Sequence, residues 1–313
     1  MRGLSDAFMA SLQTGELAGL LRAVKLDDTL CLEIRGEYIN VYYRGGCLFK
    51  VSCDYTFAFD ESYFGKKSWP FGKPATTEEW LSVIPQLKAA IDSYFCRGKD
   101  KSEQEEHGVD KAEREVQQMI LRDNTNSRIA NETDYFITDI EYTGQGFRFD
   151  MVAAKWLAGH RQWGYKAGLS IIEVKYGDKS LDERPGPGLY KHTQDVIALL
   201  EDEEKLRNLI DETNTLANQK RMLGLFPQLD ARNTHEIAIP EDCKKEFIFI
   251  LVNTNPRSKK LKEVLEAIQK DGLIRRLNEL GCKLLLARAS CMGYGLYAEC
   301  MEEIKAEIQP EKL

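Results

Sequence analysis

From Leu169 to Gly177 the chain reads LSIIEVKYG, an apolar run of strand length that carries Glu173 and Lys175. Side chains two apart on a strand point to the same face, so both charges would lie on one side of a sheet. An unpaired carboxylate and an unpaired ammonium are costly to desolvate there, so a fold that buries this strand must bring partners to them. The Glu-x-Lys spacing alone says little. It recurs at Glu203 to Lys205 and at Glu303 to Lys305, in polar helical segments where a solvated charged face accounts for it.

A candidate partner is Asp150, in the preceding strand-like run FRFDMVAAKW, with 22 residues between it and Glu173. That length suits two strands and a hairpin, which would set the carboxylates side by side. Two such acids repel unless a cation or a proton lies between them. Oxygen ligands of this kind suit Mg2+ or Mn2+, and a lysine beside the metal suits phosphodiester hydrolysis. Asp139 and Glu141, on DYFITDIEYT, are alternative acid partners. A half-exposed Glu173 and Lys175 pair that binds nothing is the bland reading.

The surrounding elements alternate. A helix, VDKAEREVQQMILRDN, precedes three strand-like runs, and a long helix is expected from Leu189, with Val196, Leu199, Leu200, Leu206, Leu209, Ile210 and Leu216 on its apolar side. A strongly apolar strand, EFIFILVNTN, two helices and the strand CKLLLARAS follow. This order predicts an α/β fold with a mixed sheet flanked by helices. Upstream, TLCLEIRGEYINVYYRGGCLFKVS reads as a small antiparallel meander with turns at Arg35-Gly36 and Arg44-Gly45-Gly46. TTEEWLSVIPQLKAAIDSYF reads as one helix capped by Thr76 and Glu79 and kinked at Pro85. The charged stretch CRGKDKSEQEEHG marks a junction near residue 100. Residues 1–100 would form an α+β module with a recognition or sensing role, and residues 101–313 a second domain.

These residues resemble the PD-(D/E)XK nuclease superfamily, whose core is a helix, three strands, a helix and a strand. The resemblance covers roughly residues 109 to 255. It implies a restriction-endonuclease-like core in which Asp150, Glu173 and the Val174 carbonyl hold Mg2+ or Mn2+ and Lys175 orients the water or stabilises charge on the phosphate. Glu113 looks like the helical acid that some members add, and Gln194 like a glutamine of several subgroups. Phe149 stands where the motif's name has proline, a departure many members share. The activity implied is endonucleolytic cleavage of nucleic acid, DNA favoured over RNA, in defence or DNA processing. A nuclease-fold binding or scaffold protein without turnover is the rival reading, and a phosphodiesterase acting on a small nucleotide is a third.

With 43 Lys and Arg against 50 Asp and Glu, the formal charge of -7 argues against coating nucleic acid through bulk charge. Contact would instead be local. Lys155, Arg161 and Lys166 interleave with Trp156, Trp163 and Tyr165 between Asp150 and Glu173, a mixture suited to phosphates and unstacked bases. His160 lies in the same loop and His192 sits near Gln194, each expected to be solvated or structural. Arg257, Lys259 and Lys260 crowd the start of a later helix, where a phosphate would offset the unfavourable helix dipole. The eight cysteines form no C-x-x-C pair, so buried free thiols are expected rather than zinc. No apolar run is long enough to span a bilayer and the N-terminus lacks a signal-peptide pattern, so a cytoplasmic protein without membrane contact, with room for homo-oligomers, is expected.

Overall fold

The computed structural model describes residues 2–65, 69–97, 112–125, 133–161, 163–181, 188–227, 229, 235–255, 257–289 and 295–306. The chain divides into two compact units, Met1–Arg122 with Gln219–Pro227 and Asp123–Asn218 with Gln228–Leu313. The junction expected near residue 100 falls in residues 98–111, outside the described residues.

In the first unit, α1 (Asp6–Thr14) and α2 (Ala18–Leu26) precede an antiparallel sheet of β1 (Leu30–Ile34), β2 (Tyr38–Tyr43), β3 (Gly46–Ser52) and β4 (Phe57–Ala58), in that spatial order. The β2 to β3 hairpin pairs Tyr43 with Gly46, leaving Arg44 and Gly45 as a two-residue turn with both φ positive (47° and 76°). This is the backbone that the twist of a hairpin favours. Gly45 has a second reason to be glycine, because a Cβ there would meet Arg114 Cβ at 2.7 Å. The helix expected from Thr76 is two helices, α3 (Thr77–Ser82) and α4 (Ile84–Arg97). Pro85 has no N–H to continue α3, yet its fixed φ suits the first turn of α4.

The expected capping box is present: Glu79 N–H donates to Thr76 Oγ1 at 3.2 Å and Thr76 N–H to Glu79 Oε2 at 3.3 Å. Thr76→Ala is expected to cost about 1 kcal/mol, seen as a lower melting temperature with native circular dichroism. An unchanged melt would mean that water caps α3 equally well.

α5 (Ala112–Thr125) leads to the second unit's strands β5 (Tyr135–Gly144), β6 (Phe147–Lys155) and β7 (Gly168–Tyr176), with the one-turn α6 (Ala158–Arg161) between β6 and β7. The single long helix expected after them is two, α7 (Leu189–Leu200) and α8 (Glu203–Met222). Asp202 accepts from Lys205 N–H at 3.1 Å and so restarts the helix. β8 (Lys245–Val252), α9 (Lys260–Lys270), α10 (Leu273–Glu279), β9 (Cys282–Ala289) and β10 (Met301–Glu303) complete the fold.

The six strands form one mixed sheet in the order β10, β9, β8, β7, β6, β5. The three strands β5, β6 and β7 are antiparallel to one another, β7, β8 and β9 run parallel through helical crossovers, and β10 returns antiparallel. β8 is buried from Glu246 to Val252, as a central strand covered on both faces must be. Of the cysteines, Cys31, Cys243 and Cys282 are buried free thiols as expected. Cys53, Cys96 and Cys300 are exposed instead, and Cys291 lies outside the described residues.

Candidate active site

The β6 to β7 ladder runs from Lys155 opposite Gly168 to Met151 opposite Ile172 and stops there. The next residues, Asp150 and Glu173, take over the backbone groups that the ladder leaves. Val174 N–H donates to Asp150 Oδ2 at 2.7 Å, and Asp150 N–H to Glu173 Oε1 at 3.4 Å. The N–H and C=O of one strand residue point the same way, so the Val174 carbonyl also faces β6. Two carboxylates and a carbonyl therefore converge where two strands part.

The cluster is nearly closed to water: Glu173 is 1% exposed and Lys175 5%, while Asp150 is half-buried and forms its open side. Lys175 Nζ lies 3.6 Å from Glu173 Oε2, an oxygen with no hydrogen-bond donor among the described residues. Burial and the adjacent Asp150 charge push the Glu173 carboxyl well above the ordinary range, with Lys175 opposing. Burial raises Asp150 as well, against Lys175 and the Val174 N–H. Both shifts report too much negative charge in too little water.

From above, His192 Nδ1 on α7 approaches Glu173 Oε1 at 3.3 Å. Glu141 of β5 and Asp150 of β6 fall between the paired Ile140 and Met151 and the paired Tyr142 and Phe149. Glu141 adopts a positive φ of 52°, and its carboxylate is 2.7 Å from the exposed Arg148. Its charge still adds to the upward push on Asp150. Asp139, the other alternative acid, is buried opposite Val152.

Among the described residues, no three His, Cys, Asp or Glu side chains gather as a metal cage. A smaller donor set remains: two carboxylates, one oxygen of which lacks a donor, and a backbone carbonyl. This fits Mg2+ or Mn2+, because Mg2+ keeps several waters and takes only one or two carboxylates from a protein. Glu113 lies near the start of α5, in the first unit, followed by the buried Val116 and Ile120.

Gln194 is exposed on α7, and the residue that reaches Glu173 is His192. The signal for this was helical spacing: Leu189, His192, Thr193 and Val196 fall at i, i+3, i+4 and i+7 on the inward stripe, and Gln194 falls off it. The loop candidates lie elsewhere. Lys155 is ion-paired to Glu246 at 2.6 Å, and Arg161 is buried, donating to the carbonyls of Trp156 and Thr133. Both cations are thus held by protein partners. Trp163 (76% exposed) and Lys166 are free of the core, but their loop joins the far ends of β6 and β7, about 16 Å along the strands from Asp150 and Glu173. Arg257, Lys259 and Lys260 are exposed around the start of α9, beyond the end of β8 at which Val252 pairs with Tyr176. They share the sheet end of Lys175. Comparison of the chain with protein-family models, curated proteins and solved structures finds no match.

Proposed function

We propose that the second unit is a metal-dependent nuclease that hydrolyses phosphodiester bonds in nucleic acid, DNA favoured, in the manner of the PD-(D/E)XK superfamily. The observation that carries this reading is the meeting of Asp150, Glu173 and Lys175 where β6 and β7 part. The supporting context is the order of a helix, three antiparallel strands, a helical crossover and a parallel strand.

Charge supplies the physical argument. Two carboxylates and one ammonium leave the cluster one negative charge in excess, in surroundings that raise both acids. A divalent cation would overcompensate by one, and a phosphodiester would restore neutrality. Asp150, Glu173 and the Val174 carbonyl would hold the metal, which when bound acidifies water and stabilises charge on phosphate. Lys175, whose Nζ lies 3.6 Å from Glu173, would orient an attacking water or stabilise phosphate charge developing in the transition state. Deep burial of Glu173 and Lys175 favours one competing reading, a nuclease-fold binding protein without turnover.

The test is incubation of the purified chain with single- and double-stranded DNA and RNA in Mg2+, Mn2+ or EDTA. Cleavage that EDTA abolishes is the expected result. Intact substrates throughout, with metal-independent binding, would favour the binding protein.

A further inference from the structure

The register across the parallel strands extends the site sideways. Lys175 pairs with Leu251 and Leu251 with Arg288, so Lys175 and Arg288 stand in one row on one face of the sheet, two strands apart, or about 10 Å. Two residues earlier, Glu173, Phe249 and Leu286 form the corresponding row. Over Leu286 and Arg288 the fold leaves a cavity of ≈ 210 Å³, also lined by Ser258, Lys259 and Lys262 from the start of α9 and by Glu302 of β10. Three cations and one carboxylate therefore share a small space that opens on the Lys175 end of the sheet. Lys262 reaches Glu266 at 3.8 Å, whereas Lys259 and Arg288 have no ion pair among the described residues.

We propose that this cavity binds a backbone phosphate of the nucleic acid, a few nucleotides from the bond held at Asp150 and Glu173. The inference rests on the nuclease reading. The volume holds roughly seven waters, ample for a phosphate with part of its hydration, and the net charge of the lining is positive. Arg288 offers a planar fork for two phosphate oxygens, Lys259 a point charge and Ser258 a hydroxyl donor. At a 3.4 Å rise per nucleotide, the about 10 Å between these backbone positions sets a minimum of about three nucleotides, because a strand must pass around the buried Leu251 between them. A phosphate anchored there would fix the strand's register without touching the chemistry.

The test compares the parent, Lys259→Ala/Arg288→Ala, and a control, Lys270→Ala/Arg275→Ala, whose side chains are exposed on α9 and α10 and do not line the cavity. Fluorescent DNA oligonucleotides are titrated in EDTA across a salt series, and single-turnover cleavage is followed in Mn2+. The expected result is an affinity lowered about 10-fold in the cavity variant, with a salt slope shallower by about one counterion. The control should match the parent in affinity, salt slope and cleavage. If the cavity variant keeps the parent's affinity and slope while the parent cleaves, the phosphate subsite is wrong and the nuclease reading stands. If the parent neither binds nor cleaves any oligonucleotide, both fall. Coincident melting curves guard against misfolding.

Discussion

Under the nuclease reading, Lys175→Ala is expected to slow single-turnover cleavage by roughly 10²–10³-fold, the loss typical of removing one preorganised charge or donor from a site where transition-state charge develops. The same change should destabilise the metal-free protein. Lys175 is buried beside Glu173, and without it Asp150 and Glu173 keep their mutual repulsion and lose the cation that offsets it. Breaking a buried charge pair by removing one partner costs about 3–5 kcal/mol. Millimolar Mn2+ should recover part of that loss, because a cation bound only by the native state stabilises it by mass action. The measurements are cleavage below the variant's melting point and melting temperature with and without Mn2+. A variant that cleaves within a few-fold of the parent would remove Lys175 from the site.

Glu173→Gln should do the opposite to stability while still abolishing cleavage. The folded protein raises the Glu173 pKa by burial and by the Asp150 charge, so the native state binds this proton more tightly than the unfolded chain does. Between the ordinary glutamate value and the raised folded value, the native state therefore carries more protons. Stability falls as pH rises through that window. Glutamine keeps the shape, removes the charge and leaves Asp150 with Lys175 as a balanced pair. In EDTA at about pH 8 the variant should be more stable by roughly 1–3 kcal/mol, the usual cost of an ill-satisfied buried group, and the gap should close toward about pH 5. Mn2+ should raise the parent's melting temperature and leave the variant's unchanged. A variant less stable than the parent at every pH would mean that Glu173 is a satisfied structural carboxylate, as a binding protein without turnover would have it.

Residue pattern alone identified the elements that local forces control. The capping box at Thr76, the turn at Arg44-Gly45 and the apolar β8 each depend on neighbours within a few residues, where helix and strand periods are legible. The two helix breaks, at Val83 and at Glu201-Asp202, were harder to read. The apolar stripe resumes after each, so only Pro85 and the Asp202 cap mark the interruption. β10 has three residues and too little pattern to read.

For the site, residue spacing alone shows that Glu173 and Lys175 share a face, since two residues along a strand repeat its orientation, and that Asp150 lies one hairpin away. The rest comes from the packed fold. It ended the β6 to β7 ladder one residue before the acids, brought His192 rather than Gln194 to Glu173, and sent the Trp163 loop to the far end of the sheet. It also placed Arg288 in the row of Lys175. The reason is the range of the interactions. Face and period are set within a few residues, whereas register between strands joined by long helical crossovers is set by packing the whole sheet, and a slip of one residue would turn each side chain to the other face.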